Sequence, residues 1–293
     1  MLVNMRDMLK DAEQHNYAIG SLNTPNLETL RAVIGAAEEL GCPIIINHAQ
    51  GHEPVVHLET IAPLMKMYAE NAKVPVAMHI DHGLDIDFCM KAVRAGFTSI
   101  MCDRSEYPLE KNIALTKSFV DLVKPLGITV EAELGAMPNN MPTEVPGQEQ
   151  SDLSDLTVYF TKVDEAKKFA EETGVDVLAI SIGTVHGMYK AKSDLDIERI
   201  KAIRAAITDE NVHLGMHGCS GTEPDQVVAA VNAGIKKINY FTAMDTAVAP
   251  VLKQMIDDYE GRPLNYTLMV NVAMEVLQKE AKKAMELFMT CKK

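Results

Sequence analysis

Short β-branched or apolar runs alternate with longer stretches of helical periodicity along most of this chain, and eight such runs are present. They are Tyr17–Asn23, Pro43–His48, Val76–Ile80, Ser99–Asp103, Thr129–Leu134, Val177–Ser181, His213–His217 and Lys237–Tyr240. Between them lie helix-like segments at Leu27–Leu40, Leu58–Asn71, Leu109–Leu126, Val163–Thr173, Ile197–Thr208 and Glu223–Ala233. Another helix opens at Asp85 after the turn-forming Gly83, and one precedes the first strand, from Asn4 to His15. Glycines after Ala95 and Ala233 stand where helices hand over to strands, as a helix C-terminus requires. Eight strands each followed by a helix, in 293 residues, predict an α/β fold of the (β/α)8 TIM-barrel type, one domain over residues 1–293. A doubly wound open sheet alternates in the same way, but no G-x-G-x-x-G fingerprint follows the first strand.

Two stretches break the rhythm. Residues 136–156, rich in Pro, Asn, Glu and Ser, follow the fifth strand and are expected to form an active-site lid. Residues 262–293 carry a helical pattern (Met269, Ala273, Val276, Leu277, Met285, Leu287, Phe288) expected to pack on the barrel or on a second subunit, in a homodimer or homotetramer. A net charge of −13 argues against a nucleic-acid or membrane-surface partner, since both need a basic face. No apolar run approaches the roughly 20 residues that cross a bilayer, and Met1 to Gln14 lacks the apolar stretch of a signal peptide, so a cytoplasmic location is expected. Five scattered cysteines without a Cys-x-x-Cys pair indicate neither a disulfide framework nor a structural zinc site.

Barrel chemistry sits at the C-terminal ends of the strands. Those ends carry Asn23, His48, Asp81 and His82, Asp103, Glu131 and Glu133, His186, His217, and Asn239 to Thr242. His82, His186 and His217 follow the third, sixth and seventh strands, each immediately before a glycine. Three imidazoles with one open position make the usual catalytic zinc arrangement. Strict alternation would point Asp81 and His82 to opposite faces, so both reach the mouth if the strand ends there, which Gly83 supports. His79 shares the parity of Asp81 and is read as a barrel-interior residue, and His213 as a residue of the opposite rim. His48 and His52 flank a loop at the active rim and are further candidates for substrate contact. The run His217-Gly218-Cys219-Ser220-Gly221 places small residues and a hydroxyl before a helix, where backbone amides can meet an anion. Asn239 and Thr242 could add hydrogen bonds there.

At these residues the sequence resembles the class II fructose-bisphosphate and tagatose-bisphosphate aldolases, along almost the whole chain. The segments that carry the likeness are His79-Ile80-Asp81-His82-Gly83, Glu131-Ala132-Glu133-Leu134-Gly135 and Gly183-Thr184-Val185-His186-Gly187-Met188-Tyr189-Lys190. His217-Gly218-Cys219-Ser220-Gly221 and Asn239-Tyr240-Phe241-Thr242 complete them in the family's order. The resemblance implies that His82, His186 and His217 hold a catalytic Zn2+, and that Asp81 takes the proton of the C4 hydroxyl during cleavage. It implies that Gly187, Lys190, Gly218, Ser220, Asn239 and Thr242 surround the phosphate of dihydroxyacetone phosphate, with Asn23 beside the substrate. Asp103 and Glu133 match acidic positions that bind a second or displaced metal in some relatives, and many members use a monovalent cation, Na+ or K+, near the phosphate. The implied reaction cleaves a ketose (bis)phosphate to dihydroxyacetone phosphate and an aldehyde, with the metal stabilising the enediolate as a Lewis acid.

Four departures stand out. The glycine- and acid-rich loop that often follows the fifth strand is replaced by residues 136–150. Ala49 stands where many fructose-type members have serine, Phe241 replaces a small or polar residue, and Cys219 replaces glycine or alanine. The usual loop supplies a glutamate that moves a carbon-bound proton, and Glu144, with Glu149 after it, is expected to take that role. Two other readings share the site. One is another zinc-dependent barrel enzyme, a hydrolase or isomerase, which would have no use for the phosphate loops. The other is a non-catalytic aldolase-like subunit, which need not keep Asp81 and all three histidines.

Overall fold

Eight parallel strands close on themselves in chain order, as the alternation predicted. The computed structural model describes residues 1–140, 153–187 and 194–289. Its barrel strands are β1 (Ile19–Asn23), β2 (Ile44–Ala49), β3 (Val76–Gly83), β4 (Ser99–Cys102), β5 (Thr129–Leu134), β6 (Val177–Ile180), β7 (His213–Met216) and β8 (Ile235–Tyr240). Closure is set where Ser21 pairs with Ile45 on one side and Asn239 on the other. An opening helix α1 (Met5–Gln14) is followed by the outer ring α2 (Leu27–Leu40), α3 (Leu58–Asn71), α4 (Ile86–Ala95), α5 (Leu109–Val123), α6 (Val163–Thr173), α7 (Ile197–Ala206) and α8 (Pro224–Ala233). Helix α2 shows how locally these boundaries are written. Asn26 and Thr29 form a reciprocal capping box at its start, and Gly41 ends it in the left-handed conformation at φ 64°.

Period two decides where each strand residue goes. Ile44 and Ile46, Val76, Met78 and Ile80, and Val130 and Ala132 face outward and share one core with the helices. The alternate residues face the barrel axis. At the N-terminal end these are apolar: Ile19, Ile45, Ala77 and Val177 meet Met5, Met8, Leu9 and Ala12 of α1, which plugs the barrel floor. Arg6 of α1 pairs with Asp176 at 2.8 Å and fixes the plug's orientation. Further along the axis the interior turns polar, with Ser21, Asn47, His79, Ser99, Glu131 and Lys237 all fully buried.

The outline holds, and the differences lie in connections. Strand β3 runs on to Gly83, and β8 begins at Ile235 with a register shift before Lys237. Two residues of the segment expected to be a lid, Asn139–Asn140, pair in parallel with His186–Gly187; residues 141–152 of that segment lie outside the described residues. Beyond β8 come α9 (Thr242–Thr246), α10 (Val248–Asp258) and the long α11 (Tyr266–Phe288). The tail packs on the barrel: Lys282 pairs with Glu39 of α2, and the Phe288 carbonyl accepts the Ala18 amide at 3.0 Å. No described helix is long and apolar enough to cross a membrane.

The plug should matter to stability, because Leu9 is fully buried between α1 and the barrel floor. Leu9→Ala is expected to destabilise the protein by about 2–5 kcal/mol, read from denaturant unfolding. A loss below about 1 kcal/mol would show that α1 rests on the barrel without closing it.

Candidate active site

Strand β3 carries the local distortion on which the mouth depends. Its register with β4 shifts between Ile80 and Gly83, and His82 adopts φ 48°. A β-branched or bulky side chain would be strained there, and a histidine held there costs roughly 1–3 kcal/mol. The distortion is a bulge, not the strand end at Asp81 that alternation suggested. It breaks the period-two rule, so that Asp81 and His82 both project to the rim. Two neighbours hold it. A Cβ on Gly83 would lie 2.8 Å from the Met101 carbonyl oxygen, so only glycine fits. The buried Arg104 donates through Nη1 to the carbonyls of Gly83 at 3.1 Å and Leu84 at 2.8 Å.

The rim brings the three predicted histidines together. The His82 ring lies 5.1 Å from that of His186 and 5.0 Å from that of His217, centroid to centroid. His82 Nε2 and His217 Nδ1 stand 3.2 Å apart, and all three offer a ligand nitrogen within 4.8 Å of the others. Two nitrogens bound at about 2.0–2.1 Å to a tetrahedral zinc lie about 3.3 Å apart, so the spacing fits such an ion. The outward nitrogens are engaged as well. His82 Nδ1–H donates to Asp103 Oδ2 at 2.7 Å, and His217 Nε2–H to Glu131 Oε1 at 3.0 Å. Carboxylates in this position fix the tautomer and turn the free lone pair inward.

Asp103 therefore orients His82, with its other oxygen accepting from the Ser105 amide and hydroxyl at 3.0 and 2.8 Å. Together with Glu133 and His82 it also forms a second group whose ligand atoms lie within 4.8 Å of one another. Glu133 Oε2 is buried and has no hydrogen-bond partner. Burial, then the charge of Asp103, pushes the Glu133 carboxyl up to about 8, so it is largely protonated at neutral pH. Burial alone would lower His82, but Asp81 and Asp103 outweigh it and raise the imidazole to about 10. Burial, reinforced by the charge on His82, lowers His186 to about 3.

Asp81 is buried with both oxygens occupied: Asn239 Nδ2 donates to Oδ1 at 2.8 Å and Asn23 Nδ2 to Oδ2 at 3.1 Å. Burial opposes its ionisation, but the charges of His82, His217 and Lys237 prevail, so its carboxyl lies well below the usual range. His48 bonds Glu53 at 3.1 Å, while His52 packs against Phe241 with ring centroids 5.4 Å apart. Burial lowers His52 to about 4, so it faces the rim as a neutral ring.

The phosphate candidates also converge. The Ala243 amide donates to Ser220 Oγ at 3.1 Å, which ties the loop after β7 to the start of α9 beside Thr242. Gly218 has φ 65°, and a Cβ there would collide with the Val185 carbonyl, next to His186 and Gly187. Helix α8 starts at Pro224, with Glu223 at its N-cap, so its amino end lies beyond Gly221 and the loop precedes it. Lys190, Glu144 and Glu149 lie outside the described residues.

Sequence reasoning missed Lys237, which lies fully buried in the barrel 2.8 Å from Glu131, and gave Glu131 no role. Strand parity was the available signal: Lys237 shares the inward face of Asn239, and Glu131 that of Glu133. His79 is interior as expected, 3.0 Å from Glu131, and His213 lies on the far rim beside Glu13 at 3.3 Å.

A family model described as "Fructose-bisphosphate aldolase class-II" matches residues 3–293. The chain belongs to the class II fructose-bisphosphate aldolase family. Among curated relatives, a protein of Bacillus subtilis (strain 168) named probable fructose-bisphosphate aldolase is 34% identical over 268 residues, 89% of this chain and 90% of that one. The uncharacterized protein YdjI of Escherichia coli (strain K12) is 38% identical over 258 residues, 88% of each chain. The crystal structure titled as the YdjI aldolase from that bacterium superposes with a TM-score of 0.84 at 33% identity, covering 98% of this chain and 97% of that one. The aldolase is thus a lyase on a (β/α)8 barrel, of a family that is generally zinc-dependent.

Proton release gives a direct probe of this aldolase's histidine cluster. An imidazole must be neutral to bind a metal, and Asp81 and Asp103 keep the His82 proton on until about pH 10. Zn2+ binding at pH 7–8 is therefore expected to displace about one proton, and affinity should rise about tenfold per pH unit in this range. Calorimetry in buffers of different ionisation enthalpy measures both. An affinity independent of pH from 7 to 9 would show that no ligand of the cluster carries a proton to be displaced in that range.

Proposed function

We propose that this chain reversibly cleaves a ketose (bis)phosphate of the fructose- or tagatose-1,6-bisphosphate class to dihydroxyacetone phosphate and an aldehyde. The observation that carries the reading is the placement of one clamped carboxylate, Asp81, 3.9 Å from the nearest nitrogen of a three-histidine cluster. His82, His186 and His217 are the proposed Zn2+ ligands, with Asp103 and Glu133 as a second or displaced position. A divalent cation held there supplies Lewis-acid stabilisation of negative charge on the ketone half.

The chain's own groups do the rest. Asp81, ionised and held by two amides, accepts the proton of the C4 hydroxyl. The pair left on that oxygen becomes the second C4–O bond of the aldehyde, the C3–C4 pair moves to the ketone half, and the resulting enediolate is reprotonated at C3. Gly187, Lys190, Gly218, Ser220, Asn239 and Thr242 are the proposed phosphate donors, with Na+ or K+ nearby and Asn23 beside Asp81. Lys190 and the backbone amides offset a net charge of −13 that otherwise opposes an anionic substrate. A single cytoplasmic domain, assembled as a homodimer or homotetramer, completes the proposal.

Chelation is expected to abolish cleavage and Zn2+ to restore it. Asp81→Ala should keep zinc and lose about 10²–10⁴-fold in kcat, whereas His186→Ala should lose metal. The assay is product analysis on a panel of ketose phosphates with metal content measured in parallel. Activity that survives complete metal removal would end this reading, and an Asp81→Ala protein without zinc would make Asp81 a ligand.

Glu144 is proposed to move the carbon-bound proton, since Asp81 serves the oxygen of the other half. Exchange of that proton of dihydroxyacetone phosphate with D2O, followed by NMR, should drop sharply in Glu144→Gln with zinc unchanged. Normal exchange in both Glu144→Gln and Glu149→Gln would leave Asp81 to serve both halves.

A further inference from the structure

Four bonds inside the barrel determine how Asp81 is presented. An asparagine amide has two similar ends, one a donor and one an acceptor, and only its partners decide which end faces which way. Asn239 lies between Asp81 and the ammonium of Lys237. An ammonium has no acceptor, so Lys237 Nζ binds Asn239 Oδ1, and Nδ2 is left facing Asp81 Oδ1 at 2.8 Å. On the other side, Asn23 Oδ1 accepts from Asn47 Nδ2 at 3.0 Å, which leaves Asn23 Nδ2 facing Asp81 Oδ2 at 3.1 Å. Asn47 Oδ1 in turn accepts the Ser21 hydroxyl at 2.8 Å. Lys237 is held by Glu131 at 2.8 Å, the carboxylate that also accepts from His217 Nε2 at 3.0 Å.

We infer that Lys237 and Asn47, both fully buried in the barrel interior, are positioning residues that set the orientation of the Asn239 and Asn23 amides and thereby hold Asp81 for proton transfer. Reversal of either amide would bring a carbonyl oxygen against the carboxylate and turn the base away from the C4 hydroxyl. Displacement of a reacting group by about 1 Å can cost on the order of 10²-fold in rate. Asn239 is also a proposed phosphate donor, so its reversal would weaken substrate binding as well, whereas the Asn47 arm touches none of the proposed phosphate donors. Lys237 also neutralises Glu131, so the test separates orientation from charge balance. The inference rests on the proposed role of Asp81 as the base.

Lys237→Met alone would leave Glu131 charged and unpaired, so it is combined with Glu131→Gln. The double variant removes both charges, and its amide oxygen can still accept from His217. Asn47→Leu, close in shape, disturbs no charge and tests the other arm if the double variant does not fold. Each variant is purified with zinc, checked for metal content and melting temperature, and assayed for kcat and KM separately. The Co2+-substituted proteins report ligand geometry by absorption. The expected result is zinc binding and a Co2+ spectrum like wild type and kcat reduced about 10- to 100-fold, with KM within about threefold in Asn47→Leu. If Lys237 served only charge balance, the double variant would keep wild-type kcat. A folded, zinc-loaded Asn47→Leu protein with kcat within about twofold of wild type would overturn the inference, as would the same result in the double variant. The Asp81→Ala protein keeps the two failures apart. If it retains full activity, the base assignment has failed; if it is inactive while both variants keep wild-type kcat, only the positioning inference has failed.

Discussion

The ion pair between Lys237 and Glu131, fully buried at the centre of the barrel, is the contact from which the rest of the site is organised. Barrels of this type usually fill their interior with branched apolar side chains. Here that filling is confined to the floor, where α1 meets Ile19, Ile45, Ala77 and Val177. Above it, each polar group is tied to the next, and the pair is the junction between the chain leading to Asp81 and the one leading to His217. A buried pair of this kind adds little net stability, yet removal of one member costs about 3–5 kcal/mol. Its value is directional, because both partners have fixed donor or acceptor character and impose it on neighbours that could otherwise turn around.

From that junction outward, orientation is handed from carboxylate to imidazole. Glu131 and Asp103 each accept a hydrogen bond from one ring N–H, so the remaining nitrogens of His217 and His82 face each other at 3.2 Å. The same carboxylates gather negative charge at the mouth, and burial together with the charge of Asp103 holds the Glu133 proton on up to about pH 8. A cation and a phosphate therefore meet opposite receptions here. A divalent ion would be drawn into the acid cluster, while the proposed anionic sugar would rely on amides such as that of Gly218 and on neutralisation of the acids beside it.

Much of this was legible in the sequence, for reasons particular residues make plain. Alternation gave the barrel because outward residues such as Ile44 and Ile46 must be apolar under a covering helix. The histidines at the ends of strands were legible because barrel mouths are built there. The reason Asp81 and His82 share the rim was misread, since a bulge with a left-handed histidine leaves no mark in residue pattern. Arg104 has its effect through three backbone carbonyls that no side-chain pattern reveals. Lys237 was overlooked because a lysine in a strand reads as solvent-exposed until its inward parity is matched with a carboxylate on β5. The chain's departures from the family pattern at residues 136–150 and the position of Lys190 belong largely to segments beyond the described residues.

The two-residue ladder between Asn139–Asn140 and His186–Gly187 sets His186 apart from the other two histidines. His82 and His217 are carried on or directly after barrel strands, but His186 belongs to a small unit built from two connecting loops, with its amide bound to the Pro138 carbonyl at 2.9 Å. The loops after β5 and β6 are therefore not independently exchangeable. A graft that replaces the first would also change the support of a proposed metal ligand, unless residues 138–140 and 183–187 travel together. The loop that carries Glu144 and the support of a proposed metal ligand are in this sense written on the same piece of backbone, and divergence in one constrains the other.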